Sequence, residues 1–138
     1  MDVEEFNRWI SMSKRTLESA RGDEERGDYN WACFKAHQAS EFALKALLYG
    51  IGKPTRGHSI THLLNELNNI IQVSGNIMDL GRFLDKFYVP TRYVDAWSEG
   101  MPYEYFTRND AETAIKAAER IIKFVEDLWR ILLSGVRG

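Results

Sequence analysis

AETAIKAAERIIKFVEDLWRIL, residues 111–132, decides the fold. Ala111, Ala114, Ile115, Ala118, Ile121, Ile122, Val125, Leu128, Trp129 and Leu132 keep a 3.6-residue period for about six turns, with charged residues between them. Thr107 and Asp110 stand where an N-terminal cap belongs. A long amphipathic helix must bury its stripe against other helices or a sheet. No stretch of the chain alternates apolar and polar residues for long, so helices are the expected partners.

Upstream, Pro54, Pro90 and Pro102 are the only prolines, and they leave the long segments around them free of the strongest helix breaker. The first block runs from about Val3 to Gly27, with Phe6, Ile10 and Leu17 as a broken stripe. The second, Asn30 to Tyr49, sets Trp31, Phe34, Gln38, Phe42, Ala46 and Tyr49 at steps of three and four, then meets Gly50 and Gly52. Ser59 or Thr61 can cap a third helix through Ile60, Leu63, Leu64, Leu67 and Ile70–Ile71, closed by Ser74 and Gly75. Asn76 with Asp79 resembles a capping box for a shorter helix carrying Ile77, Leu80, Leu84 and Phe87, weakened by Gly81. The fold class is therefore all-α, an antiparallel up-and-down bundle of four to five helices in one domain spanning 1–138.

At 138 residues, with 44% hydrophobic and 28% charged residues, the chain can bury a full core without disulfides or structural metal. Eighteen Lys and Arg against twenty Asp and Glu leave a net charge of −2, so any site for an anionic ligand must be local. Cys33 has no second cysteine to pair with and reads as a small buried thiol of a reducing compartment. Asp2, Glu4 and Glu5 oppose a secretory signal, and no apolar run reaches the ~20 residues of a membrane span. A cytoplasmic protein without a membrane is expected.

Phe87 to Thr107 has no clean period, yet it holds seven of the seventeen aromatics. Loops of this length in compact domains are uncommon unless functional or disordered, and this richness in rings opposes disorder. Two readings stand. The rings fill the end of the bundle core, or Arg92, Asp95 and Arg108 among them form a site where a base stacks and Arg92 meets a phosphate or carboxylate.

Three segments carry a family resemblance. Phe34-Lys-Ala-His37-Gln-Ala-Ser-Glu41-Phe-Ala-Leu-Lys45-Ala-Leu-Leu, then Gly57-His58-Ser59-Ile60, then Phe87-Tyr88-Val89-Pro90-Thr91-Arg92-Tyr93-Val94-Asp95-Ala96 occur in an order similar to that of the HEPN domain family. The resemblance implies a small helical bundle, commonly a homodimer. Such proteins are often encoded in prokaryotes beside a minimal nucleotidyltransferase, are proposed to bind nucleotides or RNA, and many act in toxin-antitoxin or defence systems. It also directs attention to Arg92, Tyr93, Asp95, His37, Glu41 and His58 as ligand contacts. Arg92 would hold an anion, Tyr93 would stack or hydrogen-bond, and Asp95 would orient Arg92 or a ribose hydroxyl.

Ribonuclease branches of the family use Arg, four to six residues, then His near the start of a late helix, which supplies a proton acceptor and a cation for the phosphate. From Asn109 onward there is no His. Arg56 and His62 fit the spacing elsewhere, and such a pair also arises by chance. They are the candidates for a metal-independent ribonuclease toxin, the alternative to a binding module or a pure dimerisation module. His37 and Glu41 stand one helical turn apart, with Lys45 continuing the stripe, and can form a buried structural pair or face a ligand groove. His58 and His62 have the i, i+4 spacing of metal ligands but no third ligand pattern, so no metal or cofactor is expected. Lys53 to Gly57 lacks the glycines of a phosphate loop and is an anion-contact candidate only.

Overall fold

The computed structural model describes residues 1–137 and contains five α-helices: α1 (Val3–Arg26), α2 (Tyr29–Gly50), α3 (Ile60–Asn68), α4 (Gly75–Asp85) and α5 (Arg108–Arg137). Among the described residues there is no strand. Asp2 caps α1 by accepting from the Glu5 amide, and Gly27 ends it in the left-handed region at φ 83°. That turn sends α2 back along α1, and the Ser13 hydroxyl donates to the Ala39 carbonyl across the pair at 2.6 Å.

Helix α2 is the core element, with fifteen of its twenty-two residues buried. Its buried surface is an alanine series, Ala32, Ala36, Ala39, Ala43 and Ala46, together with Leu44, Leu47 and Leu48. Small side chains let α1 and α5 approach closely, and this displaces the bulky stripe. Trp31, Phe34, Gln38, Phe42 and Tyr49 lie half-buried or exposed on the outer face, and only Ala46 of that series is fully buried. Along α5, Ala114, Ala118, Ile121 and Val125 are buried, and Trp129 stacks on Phe6 at 4.2 Å. A Cβ at Gly50 would stand 2.6 Å from the Trp129 ring, so glycine there is what allows the end of α2 to meet that ring.

Two boundaries differ from those read in the sequence. Helix α3 stops at Asn68, because the Asn68 side chain accepts from the Val73 amide and turns the chain, leaving Ile70 exposed. Ser74, not Asn76, caps α4: its hydroxyl accepts from the Ile77 amide, while Asp79 pairs with Arg82. Ser74 thus opens a helix instead of closing one. Gly81 has a packing reason, since a Cβ there would lie 2.7 Å from Leu64 and push α4 off α3. Ser59 is the cap of α3, accepting from the His62 amide.

The segment between α4 and α5 is folded, with short 3₁₀ turns at Val94–Ala96 and Pro102–Glu104. Buried Thr91 donates to the Phe87 carbonyl, and Asn30 of α2 donates to the Thr91 carbonyl. The Trp97 indole donates to Pro90 and stacks on Tyr105 at 4.0 Å. Thr107 and Asp110 then cap α5 reciprocally, as their spacing in the sequence suggests. The rings do pack against the bundle end, as with buried Phe87, but Tyr93, Tyr103 and Tyr105 remain exposed.

Candidate functional site

The middle of α2, the start of α3, the end of α4 and the following loop converge on two histidines and two carboxylates. His37, fully buried, bonds through Nε2 to Asp85 at 3.0 Å, and its Nδ1 faces the Gln38 amide at 3.1 Å. Glu41, 2% exposed, accepts from Lys45 Nζ at 3.0 Å and from His58 Nδ1 at 3.1 Å. His37 and Glu41 therefore share a helix face but not a hydrogen bond. The end of α4 and the loop before α3 lie over that face, and each supplies its own partner.

Asp85 is the hub of the site, and no motif in the sequence singles it out. Its carboxylate accepts from His37, from the Ile60 and Thr61 amides at 2.8 and 2.9 Å, and from the Thr61 and Ser59 hydroxyls. An acid at the C-terminal end of a helix is electrostatically misplaced, and that misplacement was the available signal. Here Asp85 ends α4 but occupies the N-terminus of α3, where the helix dipole favours it. Burial works to raise its pKa, but the bonds from His37, Thr61 and the Ile60 amide outweigh it and hold the carboxyl at about 2. The amides of Ile60 and Thr61 are therefore occupied by a residue of the chain itself.

Tyr88 joins the two histidines. Its ring stacks nearly parallel on His58, with centroids 5.2 Å apart, and lies 5.1 Å from His37. Arg92 sits against the same ring: its guanidinium carbon is 4.6 Å from Tyr88, 4.1 Å from Phe34 and 4.8 Å from Tyr93. Nε and Nη2 donate to the Tyr88 carbonyl at 3.0 and 2.6 Å, whereas Nη1 has no hydrogen bond among the described residues. No carboxylate neutralises Arg92 among those residues either. Asp95 is exposed in the first 3₁₀ turn and does not bond to Arg92, which the Tyr88 carbonyl orients instead.

A cleft of ≈ 310 Å³ opens beside this column, lined by His58, Ser59, Asp85, Tyr88, Val89 and Pro90. A larger groove of ≈ 680 Å³ runs between α1 and α2 past Phe34 and Phe42. The smaller cleft is the chemical candidate, because the outward imidazole of His58 and the Asp85 network border it. Arg56 and His62 stand apart from it. Both are exposed, and neither side chain forms a hydrogen bond or ion pair among the described residues, so the structure gives them no shared geometry. Lys53 reaches toward Glu66 at 3.9 Å, and Arg108 lies over Tyr29. No group of three His, Cys, Asp or Glu residues is arranged to hold a metal ion among the described residues. The Cys33 thiol is pushed up to about 12, by burial first and then by Asp110 and Glu24, which keeps it protonated and unreactive. No helix is long and apolar enough to cross a membrane among the described residues.

Fold and site together define a small all-α domain with two histidine–carboxylate pairs beneath an arginine-bearing aromatic shelf. The HEPN domain model matches residues 6–128. The chain belongs to the HEPN domain family. Three solved structures are similar over nearly their whole lengths. TT1696 of Thermus thermophilus is 40% identical, with a TM-score of 0.86 covering 88% of this chain and 96% of the other. ST0689, an archaeal HEPN homologue, is 41% identical with a TM-score of 0.76, covering 89% and 96%. The HEPN domain protein TM0613 of Thermotoga maritima is 35% identical with a TM-score of 0.74, covering 89% and 98%. No curated protein matches the chain.

Proposed function

We propose that this HEPN protein binds a nucleotide, free or within an RNA strand, on the shelf formed by Tyr88, Arg92 and Tyr93, with its phosphate at Arg92. The observation that carries this reading is an arginine clamped among three rings, with Nη1 unused and no neutralising acid among the described residues. A guanidinium so held is already oriented, so it loses little freedom on meeting a phosphate. Tyr93, 48% exposed, offers a ring face to a base. The His37–Asp85 and His58–Glu41 contacts tie the end of α4 and the loop before α3, beside the shelf, to α2.

The family resemblance extends the proposal to a homodimer acting with a minimal nucleotidyltransferase in a toxin-antitoxin or defence-type pair. Exposed Val89 and Val94 offer apolar surface for a partner beside the shelf. The ribonuclease alternative through Arg56 and His62 finds no support in their separate, exposed positions.

Titration of the whole chain with 5′-AMP, GTP and a short oligoribonucleotide, followed by tryptophan fluorescence, tests the binding reading. Trp31 is 43% exposed and packs edge-on against Phe34, so a ligand on the shelf should change its emission. Saturable binding of at least one probe, unaltered in Arg56→Ala and His62→Ala, is expected. Absence of saturation for all three, with calorimetry agreeing, would refute it.

A further inference from the structure

Helix α1 carries charges on two sides, and only one side is satisfied within the chain. Toward α5, Lys14 pairs with Glu126 at 2.7 Å and Arg21 with Glu119 at 3.6 Å. Toward α2, Arg15 and Glu18 line the ≈ 680 Å³ groove, both exposed, and neither side chain has an ion pair or hydrogen bond among the described residues. They stand three residues apart without pairing, and a cation N-terminal to its acid is the poorer order on a helix. Lys14 and Arg21, the other cations one turn from Glu18, already have their partners.

The remaining polar groups of the groove are engaged inside the chain. Thr16 donates to the Met12 carbonyl at 2.7 Å, Lys35 donates to the Ser19 hydroxyl and pairs with Asp23, and the Gln38 amide faces His37. The rest of the lining is apolar: Met12, 52% exposed, with half-buried Phe34 and Phe42. Bulk is uneven along it. Met12 and Phe42 stand toward the end where Trp9 packs on Phe42, whereas Thr16 and Ser19, one and two turns further along α1, are small.

An open cation, an open acid and bulk beside hollow call for a surface with the same features in reverse order. A second copy turned about a two-fold axis has them, since in such an interface each contact is made twice. With the axis at Thr16 and the two α1 helices antiparallel, Arg15 falls within one residue's rise, about 1.5 Å along the helix, of the partner's Glu18. Met12 falls equally close to the partner's Ser19, where bulk meets hollow. The residue on the axis itself is uncharged.

We infer that the α1–α2 groove is the face on which a second copy of this chain docks, through reciprocal Arg15–Glu18 pairs around an apolar centre of Met12, Phe34 and Phe42. The inference rests on the homodimer reading given above and assigns that dimer its face. The face adjoins the shelf, because Phe34 borders the groove and lies 4.1 Å from the Arg92 guanidinium carbon.

The test is a charge exchange between chains, read by sedimentation velocity on the whole chain. Arg15→Glu sets two acids against each other at both contacts, and Glu18→Arg sets two cations. Each variant alone should weaken dimerisation at least about tenfold, since facing like charges costs several kcal/mol. An equimolar mixture of the two variants should recover the dimer, because every contact in the mixed pair joins opposite signs. Both positions are exposed, and unchanged thermal melting of the separate variants confirms that they fold. A dimer that survives both reversals, or that the mixture does not recover, would overturn this face and leave the homodimer reading standing. A wild type that stays monomeric would overturn both and leave the groove to a different protein. Titration of the same samples with 5′-AMP reports on the Arg92 shelf separately.

Discussion

Asp85→Ala should lower the free energy of unfolding by about 3–5 kcal/mol, the largest stability loss expected from any single change at the site. The carboxylate satisfies two amides at the start of α3, two hydroxyls and the buried imidazole of His37. Removing an ordinary helix cap costs up to about 2 kcal/mol, and leaving a buried polar group unpaired costs about 1–3 kcal/mol more. Urea denaturation of both proteins measures the sum. Acid gives a second signature. Because the folded carboxyl is held at about 2, below the ordinary 3.8, its stabilising contribution is complete above pH 4 and fades as the pH falls toward 2. Asp85→Ala should lack that arm of the pH–stability curve. A variant within about 0.5 kcal/mol of wild type, the range of ordinary surface changes, would deny Asp85 its place as the hub.

Arg92→Ala should weaken nucleotide binding by tenfold or more, since a hydrogen bond to a charged group is worth about 1.5–3 kcal/mol. Arg92→Lys should recover only part of the loss, because an ammonium keeps the charge but lacks the planar fork that bonds to the Tyr88 carbonyl while lying against the rings. Kd measured beside the melting temperature separates the two roles of the side chain. Loss of affinity with little change in melting supports a ligand contact. Loss of melting with unchanged affinity would make Arg92 a structural bracket for the loop.

The period of residues 111–132 was enough to read the longest helix, and the reciprocal cap at Thr107 and Asp110 was equally legible because caps are local. The second helix was legible as a helix but not in its orientation. Its spacing gathers the bulky residues on one face without saying whether that face is inside, and only the alanine series, which means little until neighbours are known, marks where α1 and α5 press. The site followed the same division. His37, Glu41, His58, Arg92 and Tyr93 do gather in one region of the fold. Their pairing was not readable, since Asp85 reaches His37 from 48 residues away and His58 reaches Glu41 across 17. Neither distance leaves a periodic trace. Asp95 stands in the same loop as Arg92 yet does not touch it, because the 3₁₀ turn directs it outward.

Nucleotide binding at the His58–Tyr88–Arg92 column is tested most directly by nuclear magnetic resonance of the labelled chain, titrated with 5′-AMP and with an oligoribonucleotide. The largest shifts are expected on the His58 imidazole, the Tyr88 and Tyr93 rings and the Arg92 side chain, with His62 and Arg56 unmoved. Shifts confined to the α1–α2 groove, or to His62 and Arg56, would contradict binding at that column.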